Sequence, residues 1–116
     1  MEVLYIEEKE EILALLISLV KDLVNGKLKL IVETGRSGPY TVEELKEQLV
    51  DYGGTLTASP ETDYKNLDLY EIDDKPEWML EYELWVDGEK SDLTLTCTVR
   101  LTEKEKSIAI DSIHVL

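Results

Sequence analysis

From Trp78 onward the chain alternates between apolar and polar positions. Trp78, Leu80, Tyr82, Leu84 and Val86 share one parity, and Met79, Glu81, Glu83 and Trp85 share the other. A second run sets Leu93, Leu95, Cys97, Val99 and Leu101 against Asp92, Thr94, Thr96, Thr98, Arg100 and Thr102. A period of two with β-branched and aromatic enrichment predicts half-buried antiparallel strands. Asp87-Gly88-Glu89-Lys90 between them admits two turns. A two-residue Asp-Gly turn is the usual reading of that dipeptide, but it opposes Glu83 to Asp92 and Leu84 to Ser91. A four-residue loop pairs Leu84 with Leu93, Tyr82 with Leu95 and Leu80 with Cys97. Apolar cross-strand pairs contribute roughly 0.2–1 kcal/mol each and opposed like charges are unfavourable, so the four-residue loop is expected.

A third strand, running to Leu116, breaks phase: Ile108 and Ile110 have one parity, Ile113 and Val115 the other. A loop at Glu103 to Lys106 pairs Leu101 with Ile108 and Val99 with Ile110. A bulge at Asp111-Ser112, two residues opposing Thr98, then restores Cys97 to Ile113 and Leu95 to Val115. It also turns His114 to the polar face beside Thr96, with Ile113 and Val115 buried.

Upstream the period changes. Over Glu7 to Val24, Ile12, Leu16, Leu19 and Leu23 form one helical stripe, and Leu13, Ile17, Val20 and Val24 a second. Together they make a wide apolar face, so this helix is expected to be largely buried, and Asn25-Gly26 stops it. Leu28 to Val32 is a short apolar run that periodicity assigns to neither helix nor strand. Gly35-Arg36-Ser37-Gly38-Pro39 reads as a loop. Thr41 and Glu44 make a capping box for another helix, with Leu45 and Leu49 inward and Gly53-Gly54 at its end. Residues 55–66 read as an irregular connector. Leu67 to Ile72 reads as a short edge strand decorated by Asp68, Asp73 and Asp74. Helices followed by antiparallel strands predict an α+β fold in one domain spanning 1–116. Its N-terminal helices cover one face of a curved sheet of about four strands that ends in a three-stranded meander.

Charge changes the picture more than composition does. The chain carries 26 acidic and 12 basic residues, a net −14. The surplus collects in residues 61–92, with twelve acids against three lysines, a net of −9. Such a field opposes nucleic acid phosphates and anionic lipid. It steers a basic protein partner toward it, or else serves solubility. No apolar run is long enough to span a bilayer, and Met1-Glu2 opens no basic leader, so a cytoplasmic location is expected.

Little catalytic chemistry is offered. Cys97 has apolar parity and no basic neighbour, so it reads as a buried small hydrophobe and not a nucleophile. His114 is the single histidine, so no metal site and no cofactor are expected. Asp111 and His114 flank the predicted bulge, where they read as an acid–base pair or as a partnered structural histidine. Gly35-Arg36-Ser37-Gly38 lacks the Gly-Lys-Ser/Thr ending of a phosphate loop and reads as a turn. Trp85 and Met79 sit on the polar sheet face among Glu81 and Glu83, as an interface would place them. Packing beneath the 55–66 connector accounts for Trp85 equally well. The candidate partner-binding set is Met79, Glu81, Glu83, Trp85, Asp92, Asp111 and His114.

In layout, a long helix, a short segment, a capped helix and a bulged meander resemble the nuclear-transport-factor-2-like, or cystatin-like, cone. More specifically, Leu84-Trp85, Ser91 to Leu95, Ile110 to Leu116 and Thr41 to Leu56 resemble an uncharacterised family of small acidic bacterial proteins. The second resemblance implies no known activity; some small acidic proteins of this kind are suspected toxin-neutralising partners, which supports a binding role. The first implies a pocket between helices and concave sheet lined by acid–base pairs. Here the inward sheet positions are Leu, Ile, Val, Tyr, Trp and Cys. The leading expectation is therefore a non-enzymatic acidic protein that docks a basic partner. The alternatives are a cone-fold small-molecule binder or hydrolase using Asp111 and His114, and a homodimer formed through the sheet face.

Overall fold

A computed structural model of the chain describes residues 2–72 and 76–115. Asp73, Asp74, Lys75 and Leu116, assigned above to the acidic segment and the last strand, lie outside the described residues. Three helices come first: α1 (Glu2–Val24), α2 (Leu28–Glu33) and α3 (Val42–Tyr52). Five antiparallel strands follow: β1 (Leu56–Thr57), β2 (Asp68–Glu71), β3 (Glu77–Val86), β4 (Glu89–Leu101) and β5 (Lys106–Val115). A 3₁₀ segment, Glu61–Asn66, lies between β1 and β2. The helices pack on one face of the open sheet, so the α+β expectation holds.

The capping box forms as read. The Thr41 hydroxyl accepts from the Glu44 amide at 3.1 Å, and the Glu44 carboxylate accepts from the Thr41 amide at 3.1 Å. Leu28 to Val32, ambiguous by period, is helical within α2. The supposedly irregular connector holds β1, which pairs with Val86 and Trp85, and the 3₁₀ segment. β1 and β2 both pair with β3, so β2 takes the edge position expected of it.

The β3–β4 hairpin corrects the expected loop. Val86 pairs with Glu89 and Trp85 with Lys90, so the turn is the two-residue Asp87-Gly88. Both residues have positive φ, 53° and 79°, the conformation that matches the twist of flanking strands and that Asp-Gly favours. The body of the ladder nevertheless has the expected register, Tyr82 with Leu95 and Leu80 with Cys97. A register shift between Glu83 and Trp85 reconciles the two: Ser91, Asp92 and Leu93 pass opposite Leu84 alone. The Ser91 hydroxyl donates to the Leu84 carbonyl at 2.6 Å and accepts from the Leu93 amide at 3.1 Å. A tight turn and a bulge together therefore avoid the Glu83–Asp92 clash that argued for a longer loop.

The bulge in β5 is present, but two residues out of the expected frame. Leu101 pairs with Lys106, Val99 with Ile108 and Cys97 with Ile110; Thr96 then pairs with Ser112 and Leu95 with Ile113. Asp111 is the extra residue, set between Cys97 and Thr96 instead of opposite Thr98. The cause lies in the turn. The Thr102 hydroxyl accepts from the Glu105 amide at 2.8 Å, and the Thr102 amide donates to the Glu105 carbonyl at 2.7 Å. This closes the loop early and lets β5 begin at Lys106. Ile113 is buried and His114 has the opposite parity, as expected, but His114 pairs with Thr94 and not Thr96. Val115 pairs with Leu93 at the sheet end and is 54% exposed, so the expected burial fails there.

The core is one continuous cluster. The first α1 stripe, Ile12, Leu16, Leu19 and Leu23, meets Leu80, Tyr82, Leu95, Val99 and Ile110. The 36–40 loop covers the outer edge of β5 at its bulge. The Ile110 amide donates to the Arg36 carbonyl at 2.8 Å and the Ile113 amide donates to the Tyr40 hydroxyl at 3.2 Å. Gly38 makes this approach possible: a Cβ there would lie 1.8 Å from the Ile110 carbonyl oxygen. Arg36 anchors the loop to α1 through a half-buried ion pair with Asp22 at 2.7 Å.

Candidate functional site

The sheet face turned away from the helices is built by the same alternation that builds the core. Directly paired residues share a face, so rows can be read across the strands. Tyr70, Met79 and Thr98 form one row; Glu81, Thr96 and Ser112 form the next; Glu83, Thr94 and His114 form a third. Tyr70 is 53% and Met79 40% exposed. Among the described residues these two adjacent side chains are the large apolar groups of this face left open to solvent. Glu81 stands in the row on one side of them with Glu83 one row further, and Glu77 and Arg100 stand in the row on the other side. Thr94 is buried between its row neighbours, and its hydroxyl donates to the Asp92 carbonyl at 3.2 Å.

Of the expected set, Met79, Glu81 and Glu83 come together on this face. Trp85 does not join them as an anchor. Its indole Nε1 donates to Asp63 Oδ2 at 2.9 Å, which ties it to the 3₁₀ segment. The second reading of Trp85, packing with the connector, is the one observed. Asp92 accepts from the Tyr52 hydroxyl at 2.6 Å at the end of α3; this bond, above all, pushes the Tyr52 pKa up. Asp111 accepts from the Thr98 hydroxyl at 2.7 Å, while His114 Nδ1 lies 2.9 Å from the Ser112 hydroxyl. Asp111 and His114 are three residues apart on one strand, about 10 Å at ordinary strand rise. Each bonds to a different neighbour, and neither bonds to the other among the described residues.

Asp63 organises the neighbouring edge. Its side chain is 9% exposed, yet it carries three donors: the Tyr82 hydroxyl at 2.8 Å, Trp85 Nε1 at 2.9 Å and Lys90 Nζ at 2.9 Å. Burial alone would raise its pKa. The bonds from Trp85, Lys90 and Tyr82 outweigh burial and hold the carboxyl below its usual range. Tyr64, next in sequence, stacks on Tyr82 with ring centroids 4.9 Å apart. Burial pushes the Tyr82 hydroxyl strongly up, and it stays a neutral donor. Cys97 is fully buried, and desolvation raises its thiol pKa far above neutrality. Among the described residues no cluster of His, Cys, Asp and Glu could hold a metal ion, and no helix is long and apolar enough to cross a membrane.

Sequence reasoning missed two residues of this region. Tyr70 was readable: with Leu69 inward, strand alternation turns Tyr70 outward beside Met79. Asp63 was not, because no period marks a lone carboxylate in a connector whose three donors lie 19 to 27 positions downstream.

These features describe a small acidic α+β protein with one sheet face covered by helices and the other left open among the described residues. Residues 20–116 match the model of a domain of unknown function, DUF7668, and the chain belongs to that family. Comparison with curated proteins and with solved structures finds no match.

Proposed function

We propose that this chain works by binding and not by catalysis, and that it docks a basic protein partner on the open sheet face. The observation that carries the reading is the cross-strand pair Tyr70–Met79, exposed on a sheet face that also presents Glu77, Glu81 and Glu83. Aromatic and methionine side chains supply the desolvated centre of an interface. The surrounding carboxylates supply long-range attraction that raises the association rate. The cations of this side are already partnered: Arg100, in the row beside Met79, lies 3.9 Å from Glu77, and Lys90 is committed to Asp63 and lies 3.9 Å from Glu83. Glu81 has no cationic partner among the described residues.

The particular form we favour is neutralisation of a basic toxin by a cytoplasmic, bacterial, immunity-type protein on a cone-like fold. The net charge of −14 and the resemblance to small acidic proteins support it. Affinity capture from native cell extract tests the reading. The wild type should retain one basic protein, and the Glu81→Lys/Glu83→Lys chain should lose it. Tyr70→Ala should retain it with faster release, because truncating a central anchor acts mainly on the off-rate. Equal retention by wild type and charge reversal would end the docking reading. Self-association of the wild type that Tyr70→Ala abolishes would replace it with a homodimer.

A further inference from the structure

The second apolar stripe of α1 has no place in the reading above. The first stripe and Val20 are buried in the core, but Leu13 and Val24 are only partly buried and Ile17 is 40% exposed, and all four residues of the second stripe border the connector. They form one wall of a cleft of about 570 Å³; Ala58 and Tyr64 of the connector form the other. The cleft is set apart from the open sheet face and its carboxylates.

Size decides what class of occupant the cleft takes. A ten-residue helix is about 15 Å long and at least 10 Å across, which exceeds 570 Å³ roughly twofold. Liquid water occupies about 30 Å³ per molecule, so the cleft has room for roughly 15–20 non-hydrogen atoms. That is the range of small-molecule pockets, which are mostly apolar with a few polar groups that fix orientation. Ser59 supplies a buried hydroxyl to the lining, and the charged groups, Lys21 and Glu61, are exposed. Lys21, one turn beyond Ile17, is exposed and makes no ion pair among the described residues. Glu61 stands on the opposite wall.

The geometry points to a binding site for an aliphatic carboxylate, its hydrocarbon body between α1 and the connector and its head on the Lys21 ammonium. A charge-assisted bond to Lys21 sets the direction of entry, and Glu61 repels the head from its own wall. The connector wall is fixed by the Asp63 bonds and the Tyr64–Tyr82 stack, so the cleft exists before a ligand arrives.

Titration of the full-length, ¹⁵N-labelled chain with decanoate, followed by amide shifts, tests the site. Saturable shifts confined to residues of the two walls are expected. Lys21→Gln should weaken decanoate about tenfold while changing 1-decanol by less than about twofold. Glu61→Gln should tighten decanoate. Ile17→Trp, at a half-open position, should fill the cleft and abolish both ligands, with Val24→Trp as a second filler if the first perturbs the fold. Absence of saturable shifts at millimolar decanoate would overturn the proposal. So would shifts lying elsewhere, or equal weakening of acid and alcohol by Lys21→Gln.

Discussion

The two faces of the meander share strands and a hydrogen-bond ladder, yet they carry opposite jobs. On the helix side, Leu80, Leu84, Leu95, Val99 and Ile110 lie among the buried residues of one continuous core. On the other side, the same strands present Met79, Glu81 and Glu83 beside Tyr70 of β2, with no element packed over them among the described residues. The first face decides whether the chain folds. The second is available for recognition because folding does not need it. Side chains one position apart in sequence should therefore differ several-fold in what their loss costs.

The largest effect is expected from the covered face. Leu95 is fully buried at the centre of the meander, so Leu95→Ala should lower the unfolding free energy by about 2–5 kcal/mol, read from urea titration. Gly38→Ala comes next. Its Cβ would meet the Ile110 carbonyl and its φ of 59° is strained for a side chain, a cost of about 1–3 kcal/mol. Faster hydrogen exchange at the Ile110 amide would locate the damage at the β5 edge.

Asp63 sharpens the comparison, since it fixes the connector through hydrogen bonds and charge instead of apolar area. Its pKa is lower folded than unfolded. Its contribution is therefore complete above the unfolded carboxylate value near 3.8 and is lost as pH falls through the folded value. Asp63→Asn should flatten the acid limb of the stability profile and release Trp85, seen as a shift in its fluorescence. Cys97 should react with thiol reagents slowly in the native chain and quickly in denaturant, because only unfolding exposes its sulfur. Tyr70→Ala should have the smallest effect, within about 0.5 kcal/mol.

The covered face was legible in the sequence because it is redundant. Many residues repeat one parity, so a turn misjudged by two residues at Asp87-Gly88 still leaves Tyr82 opposite Leu95. Where a single residue decides, the pattern gives less. The phase slip between Ile110 and Ile113 revealed a bulge in β5, but its partner followed from the Thr102 hydroxyl closing the turn early. The open face was legible for Met79, Glu81 and Glu83 and misleading for Trp85, whose parity matches theirs but whose indole is held by Asp63 across a sequence gap of 22. A contact made by one carboxylate across such a gap leaves no periodic trace.

The most direct test of the division between faces is the melting temperature of a chain with Tyr70→Ser, Met79→Thr, Glu81→Gln and Glu83→Gln together. At this size about 1 kcal/mol shifts the midpoint by roughly 4 °C. The account predicts a midpoint within about 4 °C of the wild type, because little apolar area is lost and like-charge repulsion is relieved. A fall as large as that of Leu95→Ala would contradict it, and would mean that the open face holds the fold together and is not spare for a partner.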